Sequence, residues 1–297
     1  MNFLKSLLAL MRTPFLILTP ACVAVGVGAA YWQMRALNWL QVALILIGAL
    51  AAHITVNVFN EYFDFKSGLD QQTQRTPFSG GSGTLQASPQ LASVALLLAC
   101  TACTITALIG LYFVWVRGWL LLPIGVMGLI LVVTYTIWWV NHPLLCLIAP
   151  GLGFGVFTVM GTHFALTGSY SWTAFVAALV PTFLVSNLLL LNQFPDVEAD
   201  QRVGRRHFPI TIGRQASSKL YGLLLALTYV SIIGGIVLRL LPPTTLLALL
   251  TIILAWRSYQ GARRNAENIP ALVPSLGVNV IITLATPILL AIGLMIA

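Results

Sequence analysis

The sequence predicts an all-α, polytopic membrane protein, a bundle of nine transmembrane helices forming a single domain over residues 1–297. Three observations carry that expectation. Of the 297 residues, 59% are hydrophobic and 7% charged, against about 25% charged in a soluble protein, so a water-facing surface cannot be built from this chain. Nine apolar runs approach the ~20 residues that a spanning helix needs; they fall at 13–32, 39–58, 91–114, 119–140, 145–166, 173–192, 218–239, 244–259 and 271–296. The alternation of barrel strands is missing, and lipid offers no partner for open backbone groups, so the runs are read as helices.

The first run follows a short charged stretch, Met1 to Arg12. That stretch has the look of a signal-peptide start, but the run after it is too long and lacks a small-residue cleavage site, so it reads as a retained helix behind an interfacial segment. The second run ends in the acidic stretch Asn57 to Asp70, where Ser67-Gly68 is expected to break the helix. The third holds Cys100 and Cys103, whose C-x-x-C spacing can mark a metal or redox site. With no second Cys pair or His pair to complete such a site, they read as packing residues on one helix face. The fourth and fifth runs flank the short segment around Asn141. The sixth ends in Asn192 to Asp200, where Pro195 should kink or restart the helix just before Asp196. The last three runs alternate with basic loops.

Net charge is +8. In a membrane protein the positive-inside rule accounts for a basic balance without nucleic acid. Nine spans with a cytoplasmic N-terminus place 12 Lys and Arg residues, from Lys5 to Arg264, on the cytoplasmic side, and 3, Arg35, Arg117 and Arg239, on the other. The expected location is the inner (cytoplasmic) cell membrane.

The chain has seven acidic residues, and six fall in two short clusters: Glu61, Asp64 and Asp70 after the second run, and Asp196, Glu198 and Asp200 after the sixth. Under this topology both clusters emerge on the cytoplasmic side and can face each other. Ionisable groups at membrane depth are costly and mark function by default. Carboxylates drawn together repel unless cations neutralise them. Hard oxygen ligands in such number suit magnesium, which shares its coordination with substrate phosphates. His53, Asn57, Asn60 and Asp64 step by four, three and four, so they line one helix face; Asp196 and Asp200 share a face, and Glu198 points away from them. Lys66, Arg75 and the glycines of Thr76 to Gly83 trail the first cluster, and Arg202, Arg205, Arg206 and Arg214 the second. Free glycine amides and arginine forks both suit phosphate. Two other readings stay open on the residues alone: solvated helix caps joined by salt bridges, and an ion transporter.

At these residues the sequence resembles the UbiA superfamily of intramembrane prenyltransferases. The nine-span plan agrees, so the resemblance covers nearly the whole chain. The first cluster, Asn60-Glu-Tyr-Phe-Asp64 through Lys66-Ser-Gly-Leu-Asp70, is most similar to the branch that prenylates 1,4-dihydroxy-2-naphthoate for menaquinone, which spaces its two aspartates by six where the 4-hydroxybenzoate branch uses four. Asn192 to Asp200, with Gly204-Arg-Arg and Gly213-Arg214, is similar to the same branch, and Gly161 to Gly168 to a weaker signature. Glu61 stands where the family often has Asp, and Asn141 to Gly153 lacks the charged residues the branch carries there. The resemblance implies Mg²⁺-dependent transfer from an isoprenyl diphosphate to an aromatic acceptor, 1,4-dihydroxy-2-naphthoate or another such as 4-hydroxybenzoate, among membrane lipids, with no nucleic acid and no obligate protein partner. It implies catalytic Asp64, Asp70, Asp196 and Asp200, the same four with Asn60 and Asn192 as metal ligands, and Lys66, Arg75, Arg205 and Arg206 on the diphosphate. Tyr62, Phe63, Tyr135 and Phe157 are candidate faces for a carbocation. His53 is either a base for the ring proton or a structural histidine.

Overall fold

The computed structural model describes residues 3–69 and 80–297. The described residues form helices and no strand. A short helix α1 (Phe3–Leu10) leads through a 3₁₀ turn (Thr13–Ile17) into α2 (Leu18–Met34). Then come α3 (Trp39–Ser67), the one-turn α4 (Thr84–Ala87), α5 (Ala92–Arg117) and α6 (Leu122–Thr134). Next, α7 (Pro143–Gly151), a π-helical stretch (Leu152–Met160) and α8 (Gly161–Thr167) make one continuous rod. The second half holds α9 (Trp172–Asn192), the short α10 (Val197–Arg202) and α11 (Phe208–Thr211), α12 (Arg214–Val237), α13 (Ile252–Arg264) and α14 (Ile269–Met295).

Among the described residues, seven helices are long and apolar enough to cross a membrane. Two of the nine runs fall short of that measure. Trp119–Thr134 is apolar but shorter. The run at 244–259 starts as a 3₁₀ helix (Pro243–Thr251) and continues into α13, whose last turn carries Arg263 and Arg264. Caps explain where the long helices begin. Asn38 accepts from the amides of Leu40 and Gln41 ahead of α3, Ser171 from Ala174 ahead of α9, and Asn268 from Ala271 ahead of α14, each satisfying amides that have no partner inside the helix. Gly68 ends α3 in the left-handed conformation, as the Ser67-Gly68 pair leads one to expect.

Helix α3 packs on α5, α9 on α12, and α2 on α14. The largest core lies among α2, α9 and α12–α14, around Leu184, Leu190, Tyr221, Ile232, Leu276 and Leu290, all fully buried. A second core joins α2, α3, α5 and α8 around Val23, Ile45, Phe113 and Phe164. The rod and α9 approach closely at Gly155, where a Cβ would run into the Thr182 side chain. Buried polar side chains bond across helices as they do in lipid: the Tyr221 hydroxyl meets Ser258 at 2.7 Å and Asn279 at 2.9 Å. Cys100 and Cys103 are free thiols on α5. Trp39, Trp115, Trp119 and Trp172 are strongly exposed at the helix ends opposite the acidic clusters, the position of an interfacial aromatic belt.

Candidate active site

The last turns of α3 present Asn57, Asn60 and Asp64 to a cavity of about 260 Å³. The far wall is built from the end of α9. That helix stops at Asn192, turns through Gln193 to Asp196, and restarts as α10. Pro195 has no amide to donate and so suits the break. Asn192, Asp196 and Asp200 all line the cavity, with Arg205 and His207 beyond them. The expected meeting of the two clusters therefore occurs. It is sealed by one guanidinium: Arg205 donates to Asp64, and at 3.2 Å to Asp200. Burial works against the charge on Arg205, but the two carboxylates outweigh it and hold its pKa above the ordinary value. Asp200 also accepts from His207 Nε2 at 2.9 Å.

The second cluster is tied down from outside. Arg214, opening α12, donates Nε to the Phe194 carbonyl at 2.8 Å and Nη2 to both oxygens of Glu198 at 2.7 and 2.8 Å. Glu198 thus faces away from the cavity, as its spacing predicts. Glu267, 66% exposed, also approaches Arg214, at 3.5 Å.

Several expected residues stand elsewhere. Lys66 and Arg206 are exposed and line neither this cavity nor its neighbour; the Lys66 ammonium stands 5.8 Å over the Tyr62 ring. Asp70 and Arg75 lie outside the described residues. Glu61 is fully buried but bonds to Arg12 and Ser82, so among the described residues the acids that line the cavity are Asp64, Asp196 and Asp200. Arg12 and His207 line it without having been expected to. Arg12 carries no spacing signal, and the only hint for His207 is its place one short turn beyond Gly204.

A second cavity of about 390 Å³ adjoins the first and shares with it Arg12, His53, Asn57, Asn60, Tyr135 and Phe154. Its remaining walls are mostly apolar: Ile45, Phe113, Leu121, Leu131 and Phe157, with Gly125 and Gly128 of α6. The first chamber, which holds the carboxylates and Arg205 and is the more polar of the two, thus opens into a hydrocarbon one. Tyr135 and Phe157 line the apolar chamber, whereas Tyr62 and Phe63 line neither; Phe63 packs on the core around Leu10 and Val58. His53 stands at the junction, its Nδ1 2.8 Å from Thr19 Oγ1.

Among the described residues, no three His, Cys, Asp or Glu side chains are grouped closely enough to hold a metal ion; Arg205 occupies the space between two of the carboxylates. The donors are nonetheless all oxygens of the hard type that magnesium takes. Asn192 Oδ1 is buried there with no hydrogen-bond partner, so it is available as a ligand. In donor chemistry, though not in their present spacing, the residues suit the ion.

The sequence matches the UbiA prenyltransferase family over residues 19–293. The chain belongs to that family. A UbiA homolog from Aeropyrum pernix K1, in its apo structure, superposes with a TM-score of 0.73 at 16% identity, covering 95% of this chain and 98% of the homolog. Another, from Archaeoglobus fulgidus and bound to GPP and Mg²⁺, gives 0.68 at 13% identity over 96% and 99%. Among curated relatives, the 1,4-dihydroxy-2-naphthoate octaprenyltransferase of Mycobacterium tuberculosis is 28% identical over 85% of each chain. That of Bacillus subtilis is 27% identical over 65% of this chain. This second match spans 61% of the Bacillus protein's own length. The family transfers prenyl groups, and the apolar helices of this chain make it a multi-pass membrane member.

Proposed function

We propose that the protein transfers a prenyl group from an isoprenyl diphosphate to an aromatic acceptor, 1,4-dihydroxy-2-naphthoate in quinone (menaquinone) biosynthesis. The observation that carries this reading is the joining of Asp64 to Asp200 by Arg205 in a polar chamber that opens into an apolar one. A diphosphate and a hydrocarbon tail need those two environments side by side. The names of the curated relatives support the acceptor.

Magnesium held by Asn60, Asp64, Asp70, Asn192, Asp196 and Asp200 would act as a Lewis acid, drawing charge onto the departing diphosphate. Arg205 is placed to move from the carboxylates to the diphosphate oxygens, which its fork can bind in pairs. Lys66 and Arg206, exposed outside it, would steer the anion inward, and Arg75 keeps the diphosphate role that the family resemblance implies. The apolar walls keep water from the allylic carbon, and Tyr135 and Phe157 offer it their ring faces. His53, held by Thr19 at the junction, reads as a structural histidine. The fourth and eighth runs complete a bundle of nine spans, one catalytic domain over 1–297, with the N-terminus and both aspartate clusters at the cytoplasmic face of the inner membrane.

The test is to offer purified protein several prenyl diphosphates with 1,4-dihydroxy-2-naphthoate, 4-hydroxybenzoate and a glycerol phosphate acceptor, and to follow products by mass spectrometry. Pyrophosphate release that requires both Mg²⁺ and the naphthoate is the expected result. Ion flux across vesicles without pyrophosphate would replace this reading with a transporter.

A further inference from the structure

Glu61 is an acid of the first cluster that takes no part in the cavity. Its side chain is fully buried, and both of its oxygens are engaged. Oε1 accepts from Arg12 Nε at 2.7 Å and from the Ser82 amide at 2.8 Å, and Oε2 accepts from the Ser82 hydroxyl at 2.6 Å. Arg12 also lies 2.6 Å from Oε1 through Nη2 and donates the same nitrogen to Asn60 Oδ1 at 3.3 Å. One carboxylate therefore gathers three pieces of chain: the break between α1 and α2, the end of α3, and the segment entering α4.

Each of those pieces reaches the polar chamber. Arg12 and Asn60 line it directly, and so do Gly80 and Gly81, just ahead of Ser82. Gly80 and Gly81 have φ of +88° and +69°, values that residues with a Cβ rarely adopt. Having no side chains, they put backbone groups on that part of the rim, where an anion can be met by amides. Arg12 is left-handed too, at φ +51°. For a non-glycine residue that conformation persists only when its surroundings hold it; the bonds to Glu61 and Asn60 are such restraints. Removing a carboxylate from a buried pair leaves its partner charge uncompensated, so the contacts of Arg12 and Ser82 at this junction depend on Glu61.

We propose that Glu61 is a positioning residue for the diphosphate end of the site: it seats Gly80 and Gly81 on the chamber rim through Ser82 and aims Asn60 inward through Arg12. This rests on the reading that the polar chamber takes a prenyl diphosphate. The role differs from metal ligation, because the Glu61 oxygens are spent on Arg12 and Ser82.

The test uses full-length protein in detergent or nanodiscs, with Glu61→Gln, Glu61→Asp, Ser82→Ala and Arg12→Lys. In Glu61→Gln, KM for the prenyl diphosphate should rise by about tenfold with kcat changed less than about threefold. KM for the acceptor should stay level. Amides of residues 80–84 should exchange with deuterium about tenfold faster. Glu61→Asp should restore part of both, and Ser82→Ala should move both in the same direction by about threefold. A purely structural role would lower the unfolding temperature without separating KM from kcat. Should Glu61→Gln fail to fold, Ser82→Ala and Arg12→Lys decide the matter by the same two readouts. Normal wild-type turnover with KM and exchange unmoved in the folded variants overturns the positioning role alone. A wild-type protein that turns over no prenyl diphosphate overturns the proposed function and this inference with it.

Discussion

Arg205 donates to Asp64 across 141 positions of sequence, and its other terminal nitrogen reaches Asp200. A single guanidinium thus joins the end of α3 to α10, just beyond the end of α9. The first expected outcome follows from this contact. Arg205→Gln leaves two buried carboxylates facing each other, and breaking such a pair costs about 3 kcal/mol. The unfolding temperature should drop, and Mg²⁺ should restore more of it in the variant than in the wild type. A differential scan with and without Mg²⁺ checks this, and equal responses in the two proteins would count against ion and guanidinium sharing one place.

Asp64→Ala and Asp196→Ala should abolish turnover while the protein still inserts and elutes as a folded species. Each loses an oxygen donor in the polar chamber, and losing a group that acts only in the transition state lowers kcat by at least about a hundredfold. Pyrophosphate release measures the loss. Full activity in either variant would remove that residue from the site.

Gly128 lines the apolar chamber, and a Cβ there would meet the Phe157 ring at 3.8 Å, an ordinary contact. Gly128→Leu should therefore fold normally and narrow the chamber. Turnover of long prenyl diphosphates should fall more than that of dimethylallyl diphosphate, by about tenfold in their ratio. Competition between two chain lengths in one reaction gives that ratio directly.

Gly155→Ala tests the seam between the π-helical stretch and α9. The added Cβ would collide with Thr182 and with the Ala178 carbonyl, and overpacking of this kind costs about 1–3 kcal/mol. Thermal unfolding should show the loss, and Thr182→Ser in the same chain should not recover it, because backbone atoms also block the space.

The outer tie on the second cluster has a pH signature. Burial opposes the charge on Glu198, but its bonds to Arg214 win and hold its pKa below the ordinary carboxylate value. A depressed carboxylate stabilises the fold above its unfolded pKa, and that contribution is lost as pH falls through the folded value. Glu198 is exposed on one side, at 63%, so the pair is worth about 0.5 kcal/mol. Glu198→Gln should flatten the acid limb of the stability profile by that small amount and leave the neutral region nearly unchanged.

Composition and local spacing by themselves determined that this chain is helical and bound to lipid, because a protein so poor in charge has no other solvent available to it. They also determined which faces of α3 and α10 carry Asn60, Asp64, Asp196 and Asp200, since helical periodicity is a property of neighbours in sequence, and Gly68 and Pro195 act on their own backbone. Only the tertiary structure decided which charges meet. Arg205 rather than Lys66 stands between the aspartates, Glu61 turns to Arg12 and Ser82 rather than to the cavity, and Arg214 gathers Glu198 and Glu267. The reason is physical. A buried charge takes whichever partner the fold brings within about 3 Å, and that choice depends on how helices far apart in sequence are packed, about which a single sequence is silent.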